Sequence, residues 1–390
     1  MTPTSQSLAV ALLVVALAVP VALAVAWWRA HPTRRTPRRA AAAALVACSV
    51  VGAQVALATS AVVLVNRSLG LYTTWGDVEA LAQGGDGLEA AIPDAAPQQL
   101  SASELADIQR TGWTRYKRQP ARGDGQYRLY LVPQPGTHER HHVIVWVPPG
   151  YEHATRLTGL RTVYLYNGAY GSVDWFFGAV DPARSAAPLV RAKKLPPFVV
   201  VAPEINVDAP GDTECTDYPG GGPQAFTWLA KDVPAWAHHA LGVTTDAAHA
   251  SAIGWSVGGY CAAKVHAALP KTFGAAASRQ GFFAVENDPT TGRLTGDLAA
   301  DPALRSTTDV SWLLAHRGGH PHLLVMTSHA DPQSYRQSAA FLAQHAHTPG
   351  VWSAVYERAG HSLTAWRGIQ PDLWSFLVAR TPWPKRLATP

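Results

Sequence analysis

The sequence predicts an α/β fold, a mostly parallel sheet with helices on both faces, preceded by two transmembrane helices. Three observations predict it. From residue 127 onward, short apolar and often β-branched runs alternate with helical stretches. Near the N-terminus, two uncharged runs are each long enough to cross a bilayer. Charged residues make up only 15% of the chain against 47% hydrophobic, which excludes a disordered or highly charged architecture. At 390 residues the chain is longer than one ordinary domain. It divides into a membrane anchor over 1–66, a linker or lid over 67–120 and a large globular domain over 121–390.

The first uncharged run covers 8–28, interrupted only by Pro20, and the second covers 40–65. A cleavable signal peptide would carry a basic residue ahead of the first run, and none is present. Buried helices of a soluble domain would show polar faces or turn signals, which neither run has. Between the runs lie Arg29, Arg34, Arg35, Arg38 and Arg39, and a short basic loop is retained on the cytoplasmic side. This places the N-terminus outside and everything after Asn66 outside. Residues 1–66 hold five Arg and no acidic residue, so of the 32 basic residues 27 remain beyond them, balancing the 27 acidic ones. The formal charge of +5 is therefore a property of the anchor and gives no support for nucleic-acid binding.

Over 67–120, Gly84, Gly85, Gly87, Pro93 and Pro97 break any long period, which predicts a linker or lid with one or two short helices and no core of its own. Strands follow at 127–132, 143–147, 162–166, 198–202, 252–255, 273–278, 322–327 and 351–356. Helices are expected at 187–194, 226–240, 257–268 and 333–346. Strand and helix in alternation mean βαβ units and a mostly parallel sheet. No internal repeat is present.

Residues 249–260 contain Gly254-Trp255-Ser256-Val257-Gly258, a G-x-S-x-G pattern with an apolar run before it and a helix after it. That context is the mark of a nucleophile elbow, where small residues flank a serine held in strained geometry between strand and helix. A serine hydroxyl needs a base, and the base needs a carboxylate to hold it; in this arrangement the chain order is serine, acid, histidine. His361 follows the last strand, in Ala359-Gly360-His361-Ser362-Leu363. His316, His320, His322 and His329 are its rivals, and each reads more simply as a surface or strand-edge residue. Asp331 follows the strand at 322–327 and precedes a helix, where the carboxylate belongs; Glu286 and Asp288, after the preceding strand, are the alternative acids. Two backbone amides should receive the oxyanion. One is that of Val257, and the other should come from Ala169 or Tyr170 in the loop after the strand at 162–166.

Together with Val147-Pro148-Pro149-Gly150-Tyr151, the Asn167-Gly168 loop, Asp232-Val233-Pro234, Phe273-Gly274-Ala275-Ala276 and Gly360-His361-Ser362, the elbow resembles the signatures of a known esterase family. The family includes the S-formylglutathione hydrolases (esterase D) and the mycobacterial mycolyltransferases. The resemblance covers about 125–380, and two spans followed by such a domain look like membrane-anchored actinobacterial members. It implies an α/β-hydrolase fold and either hydrolysis of acyl esters or acyl transfer to a sugar or lipid alcohol. Two departures occur: Val257 stands where family members usually carry Met, leaving the amide intact, and the acid is Asp331 where mycolyltransferases use Glu. The second weakens any transfer of their specificity.

Other motifs are weaker. His138, His141 and His142 precede a strand without the spaced partners of a metal site, and no H-E-x-x-H occurs. No phosphate-binding loop or dinucleotide fingerprint is present, so no cofactor is expected. The acidic stretch Asp212-Thr213-Glu214-Cys215-Thr216-Asp217 could take a divalent ion, but tethering through Cys215 is simpler. Cys48 lies inside the second span, so Cys215 and Cys261 are the two thiols left in an oxidising compartment, and a disulfide between them is expected. Trp175, Trp228, Trp236 and Trp255 are expected in the core or acyl pocket. The rival to an enzyme is a hydrolase-like envelope protein that binds without turnover.

Overall fold

A computed structural model describes residues 5–29, 37–69, 99–168, 172–207, 211–285, 301–357, 361 and 369–383. Two helices, α1 (Gln6–Arg29) and α2 (Pro37–Leu69), pack against each other, with the Ser60 hydroxyl donating to Ala9 O at 2.9 Å. Small side chains, Ala9 and Ala16 among them, fill the seam, while Val14, Leu17, Val55 and Val62 point outward and are exposed. Such a pair satisfies its backbone internally and turns apolar side chains away from itself, as a bilayer requires. Both helices are long and apolar enough to cross a membrane.

After α3 (Ala102–Thr111), with a Ser101–Glu104 capping box and Gly112 as left-handed cap, the sheet begins. Its strands are β1 (Thr114–Arg115), β2 (Gln126–Pro133), β3 (Arg140–Val147), β4 (Arg161–Tyr166), β5 (Phe198–Pro203), β6 (Ala250–Trp255), β7 (Phe273–Arg279), β8 (Leu323–Ser328) and β9 (Val351–Tyr356). They lie in the order β1-β2-β3-β5-β4-β6-β7-β8-β9. From β5 to β9 all pairs are parallel, while β1, β2 and β3 extend the sheet antiparallel. Each expected strand is present, and β1 is an addition: the segment read as linker up to residue 120 contributes its last part to the sheet, and Tyr116 is buried in the core. Two residues are too few to show a period, so pairing with β2 is what makes them a strand.

Side-chain alternation builds a core on each face. Ile144, Trp146, Val163, Leu165, Phe198 and Val200 face one layer, covered by α4 (Val173–Val180), α5 (Pro182–Arg191) and α12 (Gln370–Val378). Val143, Val145, Tyr164, Tyr166, Val199 and Val201 face the other. There α6 (Ala225–Thr227), a π-helical turn over Trp228–Asp232, α7 (Val233–Leu241) and α8 (Val257–Ala268) cover them. In the π-helical turn the Val233 N–H reaches back to Trp228 O, just before Pro234, which lacks the N–H that a regular α-helix would use there. Beyond α8 a third cluster joins it to α10 (Val310–His316) and α11 (Pro332–Gln344), with α9 (Pro302–Thr307) preceding them.

The chain passes from β4 outward to β5 and then returns across β4 to β6. The strand order reverses there, and open parallel sheets place their ligand crevice at the carboxyl ends of the strands flanking such a point. The loop after β4 and the turn after β6 both lie on that edge.

Candidate active site

Ser256 stands between β6 and α8 with φ 58° and ψ −126°, a left-handed backbone that a non-glycine residue adopts only at a cost. Its N–H donates to Arg279 O at 2.9 Å, which ties the turn to the end of β7. A Cβ at Gly254 would collide with Gly258 O, and one at Gly258 would collide with the carbonyls of Tyr166 and Asn167. Glycine is therefore required at both positions by close backbone approach. Val257 opens α8, so its N–H lies in the first turn, where helical amides lack intrahelical acceptors and the helix dipole is positive.

Asp331 caps α11, with Pro332 at the first helical position, and is buried at 3% exposure. His361 Nδ1 lies 2.6 Å from Asp331 Oδ2, and the imidazole ring is 4.8 Å from the ring of Trp255, the neighbour of Ser256. Asp331 Oδ2 also accepts from the Ser334 hydroxyl at 2.6 Å and from Gln280 Nε2 at 3.0 Å. Burial pushes the Asp331 carboxyl up, but the hydrogen bond and charge of His361 and the Ser334 donors outweigh it and hold the carboxyl below its ordinary range. Asp331 is thus an anion at neutral pH. Below it, Arg279 is wholly buried; burial brings its guanidinium down to about 10, opposed by Tyr356 and Asp331.

The structure therefore brings Asp331 and His361 into contact and sets them beside the serine turn. Glu286 and Asp288, the alternative acids, lie outside the described residues, as do Ala169 and Tyr170, the expected second oxyanion donors. His316 stacks on Trp312, His322 on Phe376, and His329 Nδ1 lies 3.0 Å from Glu357 Oε2, so each has another partner. His141 and His142 are not ahead of β3 but in it, both buried: His141 Nε2 is 2.8 Å from Gln134 Oε1, and His142 Nδ1 is 3.4 Å from Asp174 Oδ2. Trp228 and Trp255 are buried and Trp236 is half-buried. The side chain of Trp175 lies outside those described.

Cys215 and Cys261 form a disulfide with a Cα–Cα distance of 5.6 Å, joining the 212–217 loop to α8 one turn beyond the serine. For a sequence separation of 46, chain entropy alone makes such a link worth on the order of 4 kcal/mol. Lys264, one turn further along α8, donates to Cys215 O at 2.7 Å and to the Thr216 hydroxyl at 2.9 Å. Burial draws its amine down to about 7, against the pull of Asp217 and Glu214. The acidic stretch is thus bound by a lysine and a disulfide. Sequence reasoning missed Lys264, Arg279, Gln280 and Ser334. A lone lysine in the largely small and apolar run Val257–Ala268, and a serine three residues past a capping aspartate, were the available signals.

Comparison with known proteins identifies the family and the fold. A family model described as "Putative esterase" matches residues 135–370. Among solved structures, the chain is similar to a ferulic acid esterase, with TM-score 0.55 and 13% identity, covering 67% of this chain and 100% of the other. It is likewise similar to an S-formylglutathione hydrolase from Agrobacterium tumefaciens, with TM-score 0.52 and 17% identity over 69% and 100% of the two chains. A fluorophosphonate-binding serine hydrolase F from Staphylococcus aureus gives TM-score 0.53 and 17% identity over 65% and 98%. At these identities the likeness is one of fold, and the fold is that of the α/β hydrolases. No curated protein matches the sequence at a significant level. The family model spans more than half of the chain, and the chain belongs to this esterase family.

Proposed function

We propose that the protein is a membrane-anchored serine esterase whose catalytic domain faces outward and which works through an acyl-enzyme on Ser256. The observation that carries the reading is the 2.6 Å contact of His361 Nδ1 with buried Asp331, beside a serine held at φ 58°. Asp331 holds the proton on Nδ1, which leaves the Nε2 lone pair of His361 as the base. His361 takes the hydroxyl proton as Ser256 Oγ bonds to the ester carbonyl carbon, and the oxyanion is received by the Val257 N–H and a second amide at Ala169 or Tyr170. The carbon–oxygen bond to the alcohol then breaks, and His361 returns the proton to the departing alkoxide. Water, activated by the same histidine, attacks the acyl-enzyme and releases the acid; an alcohol in place of water makes the same enzyme an acyltransferase. No step needs a cofactor.

Ser256→Ala removes the only oxygen in the turn that could carry the acyl group. Turnover of short acyl esters by the full chain should fall ~10⁴-fold or more, and activity within tenfold of the parent would contradict the reading.

The outward orientation rests on the arginine loop between the two spans and is supported by the disulfide between Cys215 and Cys261, a bond that persists in oxidising compartments. Protease added to intact cells stripped of their wall should digest the chain beyond Asn66. Digestion only after lysis would reverse the topology.

A further inference from the structure

We infer that Gln280 is a positioning residue that couples the serine turn to the acid; the inference rests on the roles proposed above for Ser256, Asp331 and His361. Gln280 follows β7 directly, is buried at 3% exposure and adopts a left-handed backbone with φ 48°. Its N–H donates to Met326 O at 2.7 Å, which locks that backbone against the end of β8. A glutamine gains nothing from a left-handed conformation locally, so its side chain must be needed where this backbone aims it.

The side chain spans the site. Gln280 Oε1 accepts from Trp255 Nε1 at 3.2 Å and from Arg279 Nε at 3.2 Å. Indole and guanidinium nitrogens only donate, so the amide oxygen is fixed on their side and the NH₂ is fixed toward Asp331, where Nε2 donates to Oδ2 at 3.0 Å. One neutral amide thus links the residue preceding Ser256 to the carboxylate oxygen that also holds His361. Its neutrality matters. A lysine or arginine there would fix Asp331 equally well but would compete with the imidazolium that forms in the transition state, whereas an amide orients the carboxylate and leaves its charge for His361. Trp255 is in turn packed on the His361 ring, so a single side chain sets the relative placement of nucleophile, acid and base.

The test uses the full chain in detergent with p-nitrophenyl acetate as substrate. Gln280→Met keeps the length and removes the three side-chain hydrogen bonds to Trp255, Arg279 and Asp331, and it should lower kcat by about 10- to 100-fold, the scale of a hydrogen bond to a charged group, with KM within about twofold. Asp331 loses a donor to its charged form in this variant, so the acid limb of kcat should move to higher pH. On an Asp331→Asn background the same substitution should cost less than about twofold, because Gln280 acts through that carboxylate. Gln280→Gly accepts φ 48° without strain, so it keeps the turn while removing the amide, and it should show the same loss of kcat. A kcat within twofold of the parent in both Gln280 variants, or an equal loss with and without the Asp331 carboxylate, would overturn the inference. If Asp331→Asn is itself silent, the acid assignment fails, and the inference falls with it for a distinguishable reason.

Discussion

Two histidines at opposite ends of α8 show what separates the proposed reactive site from a structural one in this protein. At the end where the helix begins, His361 is partly exposed, one ring nitrogen is held by a buried carboxylate and the ring leans on the residue before Ser256. At the end where the helix stops, His266 is fully buried, with Nδ1 2.7 Å from Phe273 O and Nε2 accepting from the His322 N–H at 3.1 Å and meeting Arg317 Nη1 at 2.9 Å. Burial, then the charge of Arg317, drives His266 down to about 3, so it stays neutral with both nitrogens occupied. The difference lies in the partners: a buried carboxylate on Nδ1 at one end, carbonyl, amide and guanidinium at the other. In the mechanism proposed above, proton transfer belongs to the first and fixed packing to the second.

The largest expected effect separates these ends. Asp331→Asn or His361→Ala should lower kcat by roughly 10⁴-fold while thermal stability stays close to the parent. His266→Ala should do the reverse: it strands the His322 N–H and the Phe273 carbonyl in the core and costs about 2–3 kcal/mol of stability, with kcat per folded molecule unchanged. Kinetics paired with thermal unfolding for all three variants checks the contrast, and a kinetic defect in His266→Ala at full folding would break it.

A smaller effect sharpens the comparison between the two ends, at Lys264 midway along the helix. Its amine loses its proton near pH 7 when folded, whereas an unfolded lysine does so near its ordinary value of about 10.4. Between those values the unfolded chain holds the extra proton, so folding gains stability as pH rises through that window. Relative to Lys264→Met, the parent should therefore gain on the order of 1 kcal/mol per pH unit between about pH 7 and 10. Denaturant titrations of both chains at several pH values measure that slope; a flat difference would mean that the amine keeps its charge in the fold.

Most of the sheet was legible in the sequence because its strands are buried on both faces, and continuous β-branched runs such as Phe198–Pro203 declare themselves without long-range information. The two-residue β1 was not, since it exists only through β2. Within the site, Ser256, Asp331 and His361 each follow a strand, and position along the chain pointed to them. Lys264 carries no such mark, and Gln280, although it directly follows β7, lies in no motif that points to it. Their meaning comes from partners on other strands and loops: Gln280 reaches Trp255 and Asp331, and Lys264 reaches the Cys215 carbonyl 49 residues away. A neutral amide after a strand and a lysine inside a helix read locally as surface residues, and only the packing of loops and helices around them buries them.

The central claim is that Ser256 carries the acyl group, and covalent labelling tests it most directly. A fluorophosphonate probe applied to the full chain, followed by mass spectrometry of its peptides, should place one adduct on Ser256 and none on Ser256→Ala. An adduct on another residue, or equal labelling of Ser256→Ala, would contradict the account.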